Sequence, residues 1–451
     1  MELTTGQESC IESLFTFLRS PNEQLFLVEG SAGTGKTFLI CQALERYCRE
    51  ERKKLNFLSI AITAPTNNAV GVLMEAARDT KALYRSAEFL TIYSLLGLKL
   101  VKGETQREIA FGSETNINYD IIVVDEASMV DSKIFSELND KIPLKTKVIF
   151  LGDRFQLNPI GEDISRALQV SEKFELTEVV RQKADSPVFP AIVLAKALVE
   201  KEHQGKKVFF DDEFNEDGSE GVWVQDKGDW YSKAISFFRS HEYQENPNSV
   251  KIITWRNAVC DRLNELVRSE LIDAPEPFTP GETLVAREAI VKEGSVLVPT
   301  AAMVTVEECQ VMTLKGVVPP VLQSLKVPEI ALYLLKIYYD GKSHTTATVS
   351  TKEQGQLASF LKQVIDKGRY YKKSGERGKA KLYFDAFWQI KESVADLTYG
   401  YGLTVRRSQG KTFTNTFVHL DDLLQIRSYK ERWRSVYVAL SRTSKRLFIL
   451  N

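Results

Sequence analysis

Residues 30–37 have the composition and spacing of a loop that binds phosphate. They read Gly-Ser-Ala-Gly-Thr-Gly-Lys-Thr, with an apolar strand predicted before them and a helix predicted after them. Glycines let backbone N–H groups curl around phosphate oxygens, a lysine supplies a cation for the terminal phosphates, and a threonine hydroxyl can hold Mg²⁺. The segment therefore predicts a site for a nucleoside triphosphate. Its expected residues are Gly30, Ala32, Gly33, Thr34, Gly35, Lys36 and Thr37.

Two acidic residues directly follow a second predicted buried strand. The strand is the apolar run Ile-Ile-Val-Val at 121–124, and Asp125 and Glu126 come next. A carboxylate here can hold Mg²⁺ directly or through water, which is the role expected for Asp125. Glu126 is placed to orient and deprotonate the water that attacks the γ-phosphate. A surface strand that merely ends in two acids is the competing interpretation, and the phosphate loop upstream in the same predicted sheet argues against it.

A third strand, predicted at residues 147–151, also carries polar groups at its carboxyl end. It is followed by Gly-Asp-Arg-Phe-Gln-Leu-Asn-Pro at 152–159. In a doubly wound sheet, the carboxyl ends of the strands surround the crevice that holds the ligand. Gln156 could therefore form hydrogen bonds with both the γ-phosphate and the attacking water.

The elements that must position these residues alternate between strand and helix in the first half, which predicts a parallel sheet and an α/β fold. The predicted strands there are 25–29, 57–63, 120–124 and 147–151, and the predicted helices are 7–19, 36–49, 67–77 and 131–140. A second α/β pattern comprises strand 250–254, helix 257–271, strand 416–419, helix 430–441 and strand 446–450. Two insertions interrupt the patterns: a β-hairpin at 98–111, and residues 278–395, where short strands precede basic helical sequence.

Composition limits the class of protein without identifying it. The 451 residues predict two to four domains, and the net charge of −1 requires any site for a polyanion to be a local patch. No apolar run approaches the roughly 20 residues that span a bilayer, and the N-terminus lacks a signal-peptide pattern. Five cysteines without CxxC spacing are typical of a reduced, cytoplasmic protein, and four dispersed histidines make a structural zinc site unexpected.

One segment is a candidate for such a local patch. Residues 366–381 hold seven lysines and arginines against two acids, with Tyr370 and Tyr371 among them. This mixture suits a phosphate backbone with stacked bases. An ordinary solvated surface explains it equally well. The acidic stretch at 211–220 is interpreted as a solvated loop.

Taken in order, these segments and several later ones resemble superfamily 1 helicases, specifically the RecD/Dda-like branch that moves 5′→3′. The resemblance covers nearly the whole chain. The branch is indicated by Gly-Asp-x-x-Gln-Leu-x-Pro at 152–159 and Ser-Gln-Gly at 408–410. Two departures stand in the late motifs. Arg406 and Arg407 replace the usual histidine and lysine, and Ser441 replaces the commoner threonine.

The resemblance implies ATP and Mg²⁺ as ligands and extends the catalytic set. It implies that Gln7 contacts the edge of the adenine base and that Gly410 belongs to the nucleotide site. It also makes Arg181 and Arg442 the two arginines that neutralise the γ-phosphate, beside Lys36, Glu126 and Gln156.

The resemblance further implies a set of DNA contacts in both motor domains. The residues that match the DNA-contacting motifs are Pro65, Thr66, Asn67, Thr91, Tyr93, Thr254, Asn257, Thr404, Arg406 and Ser408. The inserted hairpin occupies the position of the family's strand-separating pin, with Phe111, or alternatively Leu100, facing the fork. Ordinary hairpin packing explains Phe111 equally well.

The resemblance also implies a domain organisation of two RecA-like parallel-sheet motor domains with two insertions. Domain 1A takes residues 1–88 and 119–185, and the pin (1B) takes 89–118. Domain 2A takes 186–277 and 396–451, and an SH3-like β subdomain with a basic helical arm (2B) takes 278–395. A monomer is expected, and its expected partners are single-stranded and fork DNA, with single-strand-binding or replication proteins beside them.

The expected activity is an ATP-dependent 5′→3′ DNA helicase with roles in DNA replication or repair. Its nearest alternative is a single-strand translocase that displaces bound proteins with little unwinding. A slow nucleotide switch is disfavoured because the catalytic residues are intact. A metabolite kinase would not need the second α/β domain with its own arginine.

Overall fold

The computed structural model describes residues 3–54, 57–105, 107–111, 117–180, 186–292 and 295–450. The chain divides into two compact units. Unit 1 comprises Met1–Lys99, Phe111–Val259 and Leu403–Asn451, and unit 2 comprises Leu100–Ala110 and Cys260–Gly402.

The first part of the chain, up to residue 180, alternates between strands and helices. Its strands are β1 (Leu25–Gly30), β2 (Ile60–Ala64), β3 (Ala87–Thr91), β4 (Leu98–Lys102), β5 (Arg107–Phe111), β6 (Ile121–Val124), β7 (Lys147–Gly152) and β8 (Lys173–Leu176). Its helices are α1 (Thr5–Arg19), α2 (Lys36–Lys53), α3 (Asn67–Ala76), α4 (Lys81–Tyr84), α5 (Ile92–Leu95) and α6 (Ser132–Lys141).

The remainder, from residue 186, contains a second alternating pattern and the long insertion. Its strands are β9 (Glu213–Phe214), β10 (Gly221–Gln225), β11 (Val250–Thr254), β12 (Thr283–Ala286), β13 (Ile290–Lys292), β14 (Ser295–Val298), β15 (Met303–Thr313), β16 (Ala331–Tyr339), β17 (Lys342–Thr348), β18 (Leu397–Tyr399), β19 (Gly402–Thr404), β20 (Phe413–His419) and β21 (Thr443–Leu450). Its helices are α7 (Phe189–Glu200), α8 (Lys227–Phe238), α9 (His241–Glu245), α10 (Asn257–Leu271), α11 (Thr351–Lys373), α12 (Arg377–Ser393), α13 (Val405–Ser408), α14 (Leu420–Leu423) and α15 (Tyr429–Leu440).

Unit 1 contains a six-stranded sheet in the order β3-β2-β6-β7-β1-β8, with every pair parallel. The strands of a parallel sheet are covered on both faces, which is why β2 and β6 are uninterrupted buried runs. Alternate residues point to opposite faces. Val28 joins the core cluster under α1 and α2, and Leu27 joins the cluster under α6. The predicted α/β fold with a parallel sheet is confirmed.

A second six-stranded sheet of unit 1 has the order β19-β11-β20-β21-β10-β9. The pairs β11–β20, β20–β21 and β10–β21 are parallel, and the short β9 runs antiparallel to β10. The predicted helix at 257–271 is confirmed at both ends by α10. Both sheets direct the carboxyl ends of their strands toward loops that carry the predicted site residues.

Unit 2 is built on an antiparallel sheet in the order β17-β16-β15-β12-β18. Strand β15 is longer than the short strands predicted for this insertion, because it pairs with β16 as far as Thr313. Helices α11 and α12 pack on each other through an apolar cluster that includes Phe360, Val364 and Phe387. Strands β4 and β5 form a two-stranded hairpin, and its residues Leu100–Ala110 group with this unit.

Residues 397–402 join unit 2 for a simple reason. Strand β18 pairs antiparallel with β12, with Leu284 opposite Tyr399.

None of the helices in the described parts of the chain combines the length and the apolar character of a membrane-crossing segment.

Candidate active site

The predicted phosphate loop connects β1 to α2 in unit 1. Gly33 and Gly35 have φ angles of 88° and 76°, a left-handed conformation that side chains disfavour. A Cβ at Gly35 would also lie 2.8 Å from the Gln7 amide nitrogen. Within the described chain, no side chain caps the N-terminus of α2. Its backbone N–H groups are therefore available to an anionic ligand.

Lys36 and Thr37 begin α2 and face different partners. The Lys36 ammonium donates to the backbone oxygens of Gly30 at 2.6 Å and Ser31 at 3.1 Å. These contacts hold the cation over the loop, where terminal phosphates would lie. The Thr37 hydroxyl donates to a carboxylate oxygen of Asp125 at 3.0 Å. Two hard oxygen donors from different elements thus meet, as a Mg²⁺ site that also uses phosphate oxygens requires.

The two acids lie just beyond β6 and are held by backbone contacts. Asp125 accepts the backbone N–H of Glu126 at 2.7 Å, and its own N–H donates to Thr63 O at 2.8 Å. Glu126 has a φ of 52°, an uncommon conformation for a residue with a side chain. Burial, and next the charge of Asp125, raise the pKa of Glu126 to about 7, while Arg442 and Lys36 act in the opposite direction. Burial also raises the pKa of Asp125.

Gln156 lies in the loop after β7 and is only 5% exposed. Its amide oxygen has no hydrogen-bond partner among the described residues. A buried acceptor without a partner typically costs about 1–3 kcal/mol, so a ligand that donates a hydrogen bond would stabilise it. Water is such a donor, whereas a phosphate oxygen would pair with the amide N–H₂ instead.

Arg442 reaches the same cavity from the second sheet of unit 1. It follows α15 and is 3% exposed. Its guanidinium donates to the backbone oxygens of Val438 at 3.1 Å and Lys411 at 3.3 Å, which fix its position. Burial lowers the pKa of Arg442, and the charge of Glu126 opposes this effect.

One cavity of about 350 Å³ collects most of the predicted catalytic and nucleotide-binding residues. Its lining includes Ala32, Gly33, Gly35, Lys36, Thr37, Asp125, Glu126, Asp153, Gln156, Gly410 and Arg442. Both sheets of unit 1 therefore contribute to a single pocket. Arg181 lies outside the described residues. Val180, which precedes it, donates its N–H to Gly33 O at 2.8 Å.

Two residues of α15 bind the pocket loops and were missed by the sequence analysis. The Tyr437 hydroxyl accepts the Ala32 N–H at 2.8 Å and donates to Asp153 at 2.7 Å. Arg434 donates to the backbone oxygen of Gln156 at 2.8 Å. The two side chains are three residues apart, so they share one helix face. Helix amphipathicity alone marks Tyr437 as an ordinary core position, which explains the omission.

Gln7 lies against the phosphate loop. Its amide nitrogen donates to Thr34 O at 3.2 Å. Its amide oxygen accepts the Thr4 N–H at 3.0 Å, which completes a capping box at the start of α1. Gln7 also lines a neighbouring cavity of about 220 Å³ with residues of β8. Its expected role as the reader of adenine stays a prediction.

The residues predicted to contact DNA in the first sheet follow the carboxyl ends of β2 and β3. Thr66 caps α3 by accepting the Ala69 N–H, and the neighbouring Asn67 is exposed while Pro65 is buried. Thr91 caps α5, and Tyr93 is half-buried. Capping of the two helices already explains why threonines occur at these positions. A DNA contact would therefore be a second role for each of them.

The corresponding residues of the second sheet are more enclosed. Thr254 and Ser408 are both fully buried, and the Ser408 hydroxyl donates to Val405 O at 2.8 Å. Thr404 is 7% exposed. Arg406 pairs with Glu431 at 3.2 Å. Asn257, at the start of α10, is exposed and accepts a hydrogen bond from Arg407 at 3.4 Å. The side chain of Phe111 lies outside the described set.

Comparisons with known proteins agree with this pocket. The family model of an AAA domain matches residues 2–206, and the model of a UvrD-like helicase C-terminal domain matches residues 399–450. An uncharacterised protein, R530, of Acanthamoeba polyphaga mimivirus is 24% identical over 98% of both chains. The RecBCD subunit RecD of Buchnera aphidicola is 30% identical over 30% of this chain and 23% of its own length. The ATP-dependent DNA helicase Dda of enterobacteria phage T4 is 24% identical over 64% of this chain and 62% of its own length. The chain thus spans less than two thirds of the length of these two named helicases.

Proposed function

Because the chain belongs to the superfamily 1B DNA helicases, the group of RecD and Dda, we propose that it is an ATP-dependent DNA helicase. It moves 5′→3′ along single-stranded DNA and separates duplex at the β4–β5 hairpin. The energy comes from hydrolysis of Mg-ATP in the pocket of unit 1.

One observation carries the proposal: both sheets of unit 1 supply charged groups to a single cavity. Lys36 and Glu126 come from the first sheet, and Arg442 comes from the second. A triphosphate bound there would contact both sheets at once. Hydrolysis followed by release of phosphate would remove the negative charge that links them, so the two sheets could close and open in each cycle. A binding module that uses the nucleotide only for stability would not need Arg442.

The residues of the pocket have separate tasks in hydrolysis. Lys36 and Arg442 neutralise charge that develops on the γ-phosphate, and Gln156 orients the attacking water through its unpartnered amide oxygen. Glu126 takes a proton from that water. Thr37 and Asp125 would hold Mg²⁺, which supplies further positive charge to the phosphates. Arg181 is proposed as a second arginine at the γ-phosphate.

Helix α15 is proposed to transmit the state of the nucleotide between the sheets. Tyr437 binds the phosphate loop and Asp153, and Arg434 binds the loop of Gln156. A shift of either loop would therefore displace α15. Threonines at the carboxyl ends of strands in both sheets, such as Thr66 and Thr404, would then grip and release the DNA backbone in turn. Such contacts make binding salt-dependent and largely independent of sequence.

The hairpin is proposed as the strand-separating pin, with Phe111 at the fork, and the antiparallel sheet of unit 2 as the SH3-like subdomain. Support for the pin comes from the contacts that anchor the hairpin turn. Gly103 O accepts the indole N–H of Trp388 at 2.9 Å, and Glu104 pairs with Arg369 and Lys372 at 3.1 Å each. A wedge must resist the force of the duplex, and these contacts from α11 and α12 hold it.

The first test is ATP hydrolysis with and without single-stranded DNA. Strong stimulation by DNA is expected, because DNA binding and closure of the nucleotide pocket are coupled in the proposed motor. Glu126→Gln serves as the matched control, since it should retain nucleotide binding but lose hydrolysis. Absence of stimulation in the parent protein would refute the motor function.

The second test uses duplexes with either a 5′ or a 3′ single-stranded tail. Unwinding from the 5′ tail alone is expected. Preference for the 3′ tail would keep the helicase and refute the direction. DNA-stimulated hydrolysis without unwinding of either duplex would favour the single-strand translocase.

A further inference from the structure

Positive charge is concentrated on helices α11 and α12 of unit 2. Residues 351–393, which comprise α11 and α12, contain ten lysines and arginines against five acidic residues, although the whole chain has a net charge of −1. A charge bias of this size on one pair of helices indicates a local site for a polyanion.

Part of this charge forms a cluster with aromatic rings, here called the arm cluster: Lys367, Tyr370, Tyr371 and Lys379. The Lys367 ammonium lies 5.5 Å from the ring centre of Tyr370 and 5.8 Å from that of Tyr371. Lys379, from α12, lies 5.3 Å from the ring centre of Tyr371. Tyr370 is 60% exposed. Cations from both helices thus lie beside the two rings of α11.

Further cations beside the arm cluster are available to a partner. Lys373, Arg377 and Lys381 are exposed, and none of them has an acidic partner within the described parts of the chain. Lys379 shares its charge with Glu376 at 2.6 Å. The turn between α11 and α12 therefore presents positive charge that internal ion pairs do not consume.

The same helices hold the hairpin within unit 2. Trp388 of α12 donates to Gly103 O, and Arg369 and Lys372 of α11 pair with Glu104. Arg369 and Lys372 lie in the same stretch of α11 as Lys367 and Lys373. The free positive surface consequently adjoins the hairpin turn.

We propose that the arm cluster, with Lys373, Arg377 and Lys381, binds the phosphate backbone of duplex DNA ahead of the hairpin. This inference rests on the proposed helicase function, which places the strand junction at the hairpin. A platform for single-stranded DNA stacks successive bases on successive rings. Of the three tyrosines at this surface, Tyr370 is exposed, Tyr371 is half-buried and Tyr383 is buried. Phosphate contacts therefore dominate, and the duplex presents the denser row of phosphates.

The test compares a bare single strand with the same strand attached to a duplex, without nucleotide and over a series of salt concentrations. The variant is Lys373→Ala/Arg377→Ala/Lys381→Ala. The matched control is Lys292→Ala/Lys326→Ala/Lys342→Ala, which removes three exposed lysines elsewhere in unit 2. The arm variant should lose roughly tenfold in affinity for the tailed duplex, and the salt slope of its binding constant should fall by about 2–3. Its affinity for the bare strand should stay within about twofold of the parent.

The other outcomes are equally informative. Equal losses on both substrates would overturn the duplex assignment, and an unchanged affinity for the tailed duplex would overturn the site itself. The variant Lys373→Arg/Lys381→Arg keeps the charge and should bind as the parent does, which separates charge from folding. DNA-stimulated hydrolysis by the parent tests the proposed function independently. Should it be absent, the helicase proposal fails whatever the arm variant binds.

Discussion

The nucleotide pocket of unit 1 and the hairpin of unit 2 are held in place by different kinds of contact. Pocket groups such as Gln156, Tyr437 and Arg442 are buried. The backbone oxygen of Gln156 accepts from Arg434, the Tyr437 hydroxyl donates to Asp153, and Arg442 donates to Val438 O. The hairpin is held mainly by exposed ion pairs. In the pairs of Glu104, the side chains of the partners Arg369 and Lys372 are 48% and 64% exposed.

This difference predicts how each region responds to substitution. Exposed ion pairs typically contribute little, because water and salt compete with them. Loss of a buried partner leaves a polar group without solvation and costs more. Substitutions in the pocket should therefore reduce activity strongly, and substitutions at the hairpin should reduce it weakly. Trp388 is the exception at the hairpin, because its indole is buried.

The largest effect is expected from Lys36→Ala. Its ammonium is the cation held above the phosphate loop, so DNA-stimulated hydrolysis should fall on the order of 10³-fold or more. The decrease is measured by steady-state ATP hydrolysis, and circular dichroism checks that the variant is folded. Lys53→Ala at the far end of the same helix is the control. Turnover close to that of the parent would remove Lys36 from the catalytic set.

Arg442→Ala should reduce hydrolysis by about 10³-fold while ATP binding changes little. The reason is that an arginine finger acts on charge that develops during reaction. Nucleotide titration and single-turnover hydrolysis separate the two quantities. Arg442→Lys should rescue little, since lysine cannot reproduce the planar donors. Weak binding combined with a high residual rate would contradict the finger role.

Tyr437→Phe tests the contacts of α15 with a smaller change. It removes one hydroxyl, leaving the Ala32 N–H and Asp153 without their partner, and should slow kcat about tenfold. Nucleotide affinity should stay close to that of the parent. The control is Tyr429→Phe. It removes from the same helix a hydroxyl that donates to the exposed Glu202. If both variants behave alike, Tyr437 has only a packing role.

Trp388→Phe should affect unwinding but not the motor. The substitution keeps an aromatic ring but deletes the bond to Gly103 O, so unwinding should fall roughly fivefold. Single-strand-stimulated hydrolysis should be unchanged. Ser393→Ala, at the exposed end of the same helix α12, serves as the control for loss of a polar group. A parallel decrease in hydrolysis would show that the hairpin contact is not specific to strand separation.

The smallest effect is expected from Glu104→Gln. The exposed pairs with Arg369 and Lys372, which lower the pKa of Glu104, should contribute little at physiological salt. Unwinding should change less than about twofold there and somewhat more at low salt. An effect larger than that of Trp388→Phe at physiological salt would reverse the ranking of buried and exposed contacts.

Short contiguous segments were the most predictable parts of the molecule. The loop at 30–37, the strand before Asp125 and the helix α10 were all expected, because neighbouring residues determine local backbone conformation. The end of β15 was less predictable. It continues to Thr313 because β16 is long enough to pair with it, and that partner is not visible in the local pattern.

The sequence by itself determined which residues could perform the chemistry: the glycines and Lys36 of the phosphate loop, the Asp125–Glu126 pair, and the basic character of α11 and α12. Their residue types and spacing are local properties. Only the tertiary structure decided which distant groups complete them. Tyr437 bonds to Ala32, and Trp388 bonds to Gly103, because packing of the sheets and helices brings those pairs within hydrogen-bond distance. Such pairs are set by the global minimum of the whole chain, which no single segment encodes.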